Sequence, residues 1–511
     1  WSSNPIFMSK CPIDPRRLKT WIWMMNSKFQ LPWSPWYTQT GETVTGGDDD
    51  SSNVLAYWTL AATIAFTVFV YSLEGNLDSR QKESYQKTSF PSELQLTVAK
   101  IDVERSKDEK NSDKDASAKP PLLEQLQAKF KSAQAYGLDK INFGMITSTY
   151  ETLESVSFLI LGFLPYIWDL SVKTGEHFFG LTESENEIKI TLIFLAITTI
   201  IETIKSMPFE LYSTFQIEKK HGFNKQTLGL FFSDKVKSLL LTMIIGGPFV
   251  ALLLQIIRLG GDYFYIYTWA FMFCFSVLMM TLVPTVIMPL FNKYEPLEDG
   301  DLKRRIYALA ESLKYPLTKL FVMDGSKRSA HSNAFMFGFG NNKRIVLFDT
   351  LMTQVDGDEI LAILGHELGH WKLGHTMSNF VITQLYFGAA FYFFSLCYGS
   401  RDLYAAFGFN DLSRPIPTII SLLLFFQTLW APVDKVLSFL LTMFSRYNEF
   451  GADRFSVELG MSQKLQSGLC KIHLENLGAM CPDPWYSMYH YSHPPLVERL
   501  SAMMALDKKK A

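Results

Sequence analysis

Seven apolar stretches, each long enough to cross a ~30 Å hydrocarbon layer at about 1.5 Å per residue, constrain the fold of this chain most. They cover residues 54–71, 154–172, 188–205, 237–257, 264–291, 377–398 and 416–442. Because backbone polar groups inside lipid must be satisfied within the protein, such stretches fold as helices. The sequence therefore predicts an all-α membrane protein rather than a series of soluble domains.

The charges of the short loops predict the orientation in the membrane, since lysine and arginine concentrate on the cytosolic side. The loop after the second stretch is acidic, with Glu176, Glu183, Glu185 and Glu187. The loop after the third is basic, with Lys219, Lys220, Lys225 and Lys235. We therefore expect the loops after spans one, three and five, and the C-terminus, in the cytosol.

These stretches also predict how the chain is organised. We expect a poorly ordered N-terminal extension (1–53) without a cleavable signal peptide, followed by spans one to five (54–291) with a charged, solvated cytosolic loop near 100–120. A cytosolic insert (292–376), spans six and seven (377–442) and a C-terminal segment (443–511) complete the chain. The final Lys508-Lys509-Lys510-Ala511 resembles a dilysine retrieval signal, although a frayed basic helix end fits equally well.

The insert has the pattern of a small α+β domain. A helix is predicted over 302–313, a strand over 319–323, and a hairpin of 335–339 and 344–348 turned at 340–342. A second helix, 358–375, carries the motif with the clearest chemistry, His366-Glu367-x-x-His370. At about 3.6 residues per turn, the two histidines share one helix face and could bind one tetrahedral ion, with Glu367 on its flank as general base. The alternative is a pair of ordinary surface histidines.

A catalytic zinc needs a third protein ligand, and the sequence offers several candidates. His375 lies about 140° around the helix from His370, so it cannot reach the same ion while the helix continues. Glu449 is favoured because Asp453, four residues later on the same helical face, could hydrogen-bond a ligating imidazole. Glu458, Glu475 and Glu498 lack such a partner and fit ordinary helix surface.

Composition excludes other classes of function. The net charge of −2 gives no electrostatic basis for binding nucleic acid. The five cysteines are scattered without paired spacing, so neither a disulfide framework nor a cysteine zinc site is indicated.

Five separated motifs together resemble the CAAX prenyl protease 1 family, the zinc metalloproteases of the endoplasmic reticulum that process farnesylated proteins. The likeness runs from about residue 54 to the C-terminus, and Gly451 and Arg454 depart from the family's commoner choices. The motifs are Leu364–Thr376, Asn448–Asp453, Ser329–Ala334, Glu218–Asn224 and Tyr491–Arg499.

The resemblance implies a barrel of seven tilted helices around a large water-filled chamber, capped by the peptidase domain. It assigns one zinc ion to His366, His370 and Glu449, and makes Glu367 the general base. It further implies that Asp453 orients a ligand, that His493 steadies the oxyanion with Arg499 close by, and that Asn333 and Ala334 bind an extended peptide as an added strand. From the sequence alone, His493 is equally well a structural loop histidine.

The activity implied is removal of the C-terminal tripeptide from farnesylated Cys-aliphatic-aliphatic-X proteins, with prenylated proteins or peptides and the lipid bilayer as partners. The implied location is the endoplasmic reticulum membrane, with the inner nuclear membrane as an additional one. Two alternatives stay open: a membrane quality-control zinc protease that needs no prenyl group, and a non-catalytic channel with a structural zinc. A site-2-type intramembrane protease is disfavoured, since the zinc helix is charged and no Leu-Asp-Gly follows in a later span.

Overall fold

The computed structural model describes residues 49–111, 120–338, 340–409, 411 and 414–510. The expected N-terminal extension therefore lies almost wholly outside the described residues, although 49–53 already belong to the first helix. Phe339, the last residue of a predicted strand, also lies outside them.

The described chain is mostly helical. Its α-helices are α1 Asp49–Tyr85, α2 Ser92–Asn111, α3 Leu122–Leu161, α4 Phe163–Phe179, α5 Glu187–Tyr212, α6 Leu228–Leu241, α7 Gly247–Leu259, α8 Phe264–Leu282, α9 Asp301–Ser312, α10 Asp349–Gln354, α11 Gly357–Lys372, α12 His375–Cys397, α13 Arg401–Ala405, α14 Thr418–Leu424, α15 Ala431–Glu458, α16 Ser462–Glu475, α17 Pro484–His490 and α18 Leu496–Lys510. Its strands are β1 Tyr294–Pro296, β2 Leu317–Met323, β3 Ala334–Phe337 and β4 Lys343–Phe348. Short π-helical segments extend or join the helices at Ser213–Glu218, Thr242–Gly246, Val283–Ile287 and Phe425–Leu429.

Five helical segments of the described chain have the length and hydropathy to cross a membrane: Leu55–Tyr85, Glu187–Glu218, Leu228–Leu259, Gly261–Leu290 and His375–Cys397. Two further pairs qualify if each bent pair is one span, which gives up to seven. The pair α3 and α4 bends by 68° beside Gly162, whose φ of 68° no right-handed helix can include, and α14 with its π-helical extension meets α15 at 62°. The expected mostly helical membrane protein with a small α+β part is confirmed, whereas the enclosed chamber stays a prediction.

The charged segment after the first span differs from the expected solvated loop. Residues 100–111 are helical, as the second half of α2, and Ile101 is buried in the core. The carboxylate of Asp102 accepts hydrogen bonds from the backbone N–H groups of Leu122 and Leu123, both at 2.9 Å. The loop prediction was wrong for these residues because composition does not reveal a charged side chain that caps another helix.

The described residues divide into two compact units. The first comprises 49–69, 151–199 and 397–424, and the second 70–150, 200–396, 425–510. Within the first, Arg414 ties two segments together, because its guanidinium donates to Asp169 at 3.0 Å and to both oxygens of Glu183 at 3.0 and 3.1 Å. The second unit contains the sheet, α11 and the helices packed on it.

The four strands form one sheet in the order β1-β2-β4-β3. The pair β2 and β4 is parallel, while β1 with β2 and β3 with β4 are antiparallel. The expected helix, strand and hairpin are therefore present as α9, β2 and β3–β4, whereas β1 and α10 were not predicted from the sequence. Strand β3 lies at the edge of the sheet, so one row of its backbone groups faces away from β4.

Helix α11, which carries the His-Glu-x-x-His motif, is fixed at its N-terminus and along its sides. Asp356 caps it in a capping box with Glu359. Glu359 is buried and accepts from Ser467 and Lys471 of α16, each at 2.5 Å. The helix packs on α15 and α16, with Leu364 and Leu368 buried in the core. It ends at Lys372, three residues before the predicted end.

Candidate metal centre

The structure brings His366 and His370 of α11 to the carboxylate of Glu449 on α15. The Nε2 atoms of the two histidines lie 3.2 Å apart, and His370 Nε2 is 3.2 Å from Glu449 Oε1. His366 Nε2 is 3.5 Å from Glu449 Oε2, and one atom from each residue falls within 4.8 Å of the others. Within the described residues, this is the one group of three or more His, Cys, Asp or Glu side chains with metal-binding spacing.

The other nitrogen of His366 is held by Asp453, one turn after Glu449 on α15. Asp453 Oδ1 lies 2.9 Å from His366 Nδ1. Arg499 of α18 in turn donates to Asp453 at 2.8 and 2.6 Å, and its Nη1 is 3.4 Å from Glu449 Oε2. All four side chains are buried, so the network fixes the ring of His366 with its Nε2 towards Glu449.

The buried charges also change the protonation of His366. Burial alone would lower the pKa of this imidazole, but the carboxylates of Asp453 and Glu449 outweigh it and raise the pKa to about 9. A metal ion binds the neutral ring, so it must displace a proton that these carboxylates stabilise.

The residues present suit a zinc ion. Two imidazole nitrogens and one carboxylate are the ligand set of a catalytic zinc that keeps one position open. Glu449 Oε2 is buried, makes no hydrogen bond among the described residues and has the guanidinium of Arg499 at 3.4 Å, so it keeps a lone pair that a metal ion can take. His366 and Asp453 form the carboxylate–histidine pair that commonly accompanies such sites.

One side of the ligand group faces a cavity of about 410 Å³. Glu367 and His370 line it from α11, and Phe335, Met336 and Phe337 line it from β3. The edge strand and the general-base candidate therefore share one space, in which an extended peptide could lie against β3 with its backbone near Glu367.

Asn333 and Ala334 lie at the start of that edge. The backbone carbonyl of Asn333 accepts from Phe348 N–H at 3.1 Å, which makes these two residues a hydrogen-bonded pair. Because such pairs alternate along an antiparallel ladder, Ala334 and Met336 direct their backbone groups to the free edge. The side-chain oxygen of Asn333 accepts the outward N–H of Ala334 at 2.8 Å, so this side chain also lies at that edge.

His493 approaches the group from the segment before α18. Its Nε2 is 3.4 Å from Glu449 Oε1, and its ring is largely exposed. Its Nδ1 lies 3.1 Å from Ser492 Oγ. A side chain that reaches the ligand group from the solvent side is available to contact a bound substrate.

His375 is outside the group of possible ligands, as predicted, but the expectation that the helix runs through it was wrong. The helix does not continue through it, because Leu373 is the C-cap of α11 and Gly374 has a φ of 74°. His375 instead begins α12, and its Nδ1 lies 2.9 Å from Nδ1 of His370. The Leu-Gly pair after Lys372 is a helix stop signal that could have indicated the break.

Comparison with known proteins identifies relatives of this chain. A family model described as "CAAX prenyl protease N-terminal, five membrane helices" matches residues 81–293, and one described as "Peptidase family M48" matches 296–507. The chain is 45% identical over 452 residues to a CAAX prenyl protease 1 homolog of Oryza sativa subsp. japonica, covering 88% of this chain and 98% of that protein. The homolog of Homo sapiens is 42% identical over 429 residues, with 76% and 89% covered.

A solved structure is also similar. The crystal structure of S. mikatae Ste24p superposes with a TM-score of 0.77 at 34% identity, covering 87% of this chain and 99% of that one. The helical membrane segments, the small sheet and the two-histidine helix together define a membrane metallopeptidase. Within that class, the chain belongs to the CAAX prenyl protease 1 family.

Proposed function

We propose that this protein is a zinc metalloendopeptidase of the endoplasmic reticulum membrane that removes the C-terminal tripeptide from farnesylated CAAX proteins. The observation that carries the proposal is the convergence of His366, His370 and Glu449 beside a cavity lined by Glu367 and a free strand edge. The relatives named CAAX prenyl protease 1 support the choice of substrate.

The chemistry is amide hydrolysis. His366, His370 and Glu449 would hold a zinc ion, which would act as a Lewis acid to activate water and polarise the scissile carbonyl. Glu367 accepts a proton from the attacking water while the water oxygen bonds to the carbonyl carbon. Glu367 then passes that proton to the amine nitrogen as the C–N bond breaks. His493, on the solvent side, donates to the oxygen on which negative charge develops.

The edge of β3 aligns the peptide. The outward carbonyl of Ala334 and the outward N–H and carbonyl of Met336 would pair with the substrate as with another strand, and the side-chain amide nitrogen of Asn333, whose oxygen accepts from Ala334, would donate to the substrate backbone near the scissile bond. Asp453 and Arg499 act behind the site, where they hold His366 in the orientation that a metal needs.

A prenyl substrate gives a physical reason for a peptidase with membrane spans. A fifteen-carbon farnesyl chain is stabilised in apolar surroundings by ~0.8 kcal/mol per buried CH₂, so a soluble enzyme would have to extract it from the bilayer first. The acidic loop between α4 and α5 and the basic segment between α5 and α6 favour a cytosolic peptidase domain.

The test uses purified full-length protein in lipid nanodiscs, with a farnesylated peptide ending in a CAAX sequence. Zinc-dependent release of the C-terminal tripeptide, measured by mass spectrometry, is the expected result. The same peptide without its farnesyl group is the matched control.

The other outcomes of this experiment would each favour one of the two alternative functions. Equal cleavage of both peptides would indicate a quality-control protease without a prenyl requirement. Absence of cleavage, together with chelation that lowers the melting temperature, would indicate a channel with a structural zinc.

A further inference from the structure

The two histidines of the metal centre each direct their second ring nitrogen to a different partner. His366 Nδ1 faces Asp453, whereas His370 Nδ1 lies 2.9 Å from Nδ1 of His375. The rings of His370 and His375 are nearly perpendicular, with centroids 5.1 Å apart and an interplanar angle of 71°. An imidazole thus occupies, behind His370, the place that a carboxylate occupies behind His366.

The contact admits one arrangement of protons when a metal is bound. His370 Nε2 faces Glu449 Oε1 and His366 Nε2, so this nitrogen must offer a lone pair to the ion. The proton of the neutral ring then sits on Nδ1 and is donated to His375. His375 Nδ1 must accept, so its own proton is on Nε2.

We infer that His375 is a positioning residue that orients His370 for metal binding, an inference that rests on the proposed zinc site. A ligating histidine generally donates its second N–H to a carboxylate, a carbonyl or water, which fixes the ring and raises its basicity. His375 fulfils this role here from the first residue of the next helix.

The backbone between the two rings makes the contact possible. The N–H of Leu373 donates to Gly369 O at 2.9 Å, and that of Gly374 to Trp371 O at 3.1 Å, which closes the last turn of α11. With a φ of 74°, Gly374 then redirects the chain, and α12 begins at His375. A continuous helix would have turned His375 about 140° away from His370.

The opposite side of His375 is bounded by Gly451, between Glu449 and Asp453 on α15. A Cβ atom at position 451 would lie 3.4 Å from Cε1 and 3.6 Å from Nε2 of His375. Alanine therefore fits there, whereas a longer branched side chain would compete with the imidazole for space. The glycine leaves room for the ring that supports His370.

The test compares two substitutions of nearly equal size, His375→Asn and His375→Leu, in the full-length protein. The Oδ1 atom of asparagine can take the place of Nδ1 as acceptor, whereas leucine offers none. Zinc affinity is measured by competition with a chromophoric chelator, and the geometry of the site from the visible absorption of the Co²⁺-substituted protein. We expect H375L to weaken zinc binding by about 10- to 100-fold and H375N to stay within about threefold of the unmodified protein.

The cobalt spectrum separates positioning from a general structural role, because a loss of packing alone would not shift the bands of H375L and restore them in H375N. A second variant, Gly451→Leu, displaces the imidazole of His375 without changing that residue, and Gly451→Ala is its control. This variant tests the inference even if H375L folds poorly. We expect G451L to weaken zinc binding as H375L does.

Three results would overturn the inference: unchanged zinc affinity in H375L, equal losses in H375L and H375N, or unchanged affinity in a folded G451L variant. Failure of the unmodified protein to bind zinc at all would instead contradict the proposed function. The two failures are therefore distinguishable.

Discussion

The guanidinium of Arg499 and the carboxylate of Asp453 form a buried two-point ion pair, with hydrogen bonds of 2.8 and 2.6 Å. Because Asp453 also contacts His366 Nδ1, this pair links the C-terminal helix α18 to the metal centre. Burial would lower the pKa of Arg499, but Asp453 outweighs burial and raises it above the usual range. The arginine therefore stays charged and neutralises the carboxylate behind the ligand.

Because of this ion pair, we expect the protein to lose much of its stability when Arg499 is replaced. Arg499→Met leaves Asp453 and Glu449 without their shared cation, and we expect unfolding to become easier by about 3–5 kcal/mol in metal-free protein. Arg499→Lys restores the charge but not the planar two-point contact, so we expect an intermediate loss. Thermal unfolding in detergent, monitored by cysteine labelling, measures the loss of stability in both variants.

The control is Arg305→Met, because Arg305 pairs with Asp358 at the surface of α11 with both side chains more than two-fifths exposed. A surface pair should cost less than about 1 kcal/mol. Similar losses for the two methionine variants would show that the Arg499 pair is no more stabilising than an exposed one.

Glu367→Gln tests the general base. Glutamine keeps the size of the side chain but cannot accept a proton from water, so we expect peptide cleavage to fall by about 10²- to 10⁴-fold. Zinc content should not change, because Glu367 is not among the three grouped ligand candidates. Tripeptide release and bound zinc are measured on the same preparation.

The matched comparison is Glu449→Gln, which should reduce zinc binding and activity together. Cleavage by E367Q at the rate of the unmodified protein would remove the proposed role of Glu367. Equal zinc loss in both variants would show instead that Glu367 supports the metal.

The free edge of β3 predicts a defined effect of proline at Met336. Its backbone N–H faces away from β4, so Met336→Pro removes a donor to substrate without removing a bond of the sheet. Loss of one hydrogen bond of about 1.4 kcal/mol would lower kcat/KM about tenfold. Steady-state cleavage of the farnesylated peptide gives the ratio.

Met336→Leu is the control, since it keeps the N–H and a side chain of similar size. The melting temperature of M336P should stay close to that of M336L. Unchanged kcat/KM in a folded M336P variant would contradict binding of substrate at this edge.

We expect the buried imidazole of His473 to make the folded protein less stable in acid. Burial lowers the pKa of this imidazole to about 4, and its Nε2 makes no hydrogen bond within the described part of the chain. The unfolded chain binds a proton as pH falls below about 6.5, whereas the folded chain does not. His473 therefore has no effect on stability above pH 6.5 and lowers it as pH falls towards 4.

By pH 5 the protonation of this single group in the unfolded chain should have lowered the free energy of unfolding by about 2 kcal/mol in total. His473→Gln removes the titration, so its melting temperature should fall less between about pH 6.5 and 5 than that of the unmodified protein. Parallel decreases in both proteins would show that other groups govern the acid response.

Local patterns explain the parts that sequence reasoning predicted well. Hydropathy over some twenty residues is a property of one segment, so the spans could be located, although the helices extend beyond several of them, as α1 does to Tyr85. Four-residue spacing is likewise fixed by helix geometry, which places His366 and His370 on one face wherever the helix lies. The hairpin of β3 and β4 was anticipated from alternation and a glycine turn for the same reason.

Other features depended on contacts between distant segments. Asp102, in a tract that composition assigned to a solvated loop, caps α3 because the fold brings Leu122 to it. The end of α11 was predicted at His375, but the left-handed Gly374 ends it earlier and turns His375 back towards His370. The positive φ of Gly374 therefore gives His370 its neighbour His375.

The amino-acid sequence by itself determined that the chain is a helical membrane protein with two histidines and a glutamate on one helix, because both properties follow from the periodicity of a single segment. The spacing of Glu449 and Asp453 made Glu449 the favoured third ligand, but only the tertiary structure decided that Glu449 meets those histidines, that Arg499 lies behind them, and that the edge of β3 opens onto the same cavity. These relationships join separate elements, and packing in three dimensions sets their distances, which no local pattern specifies.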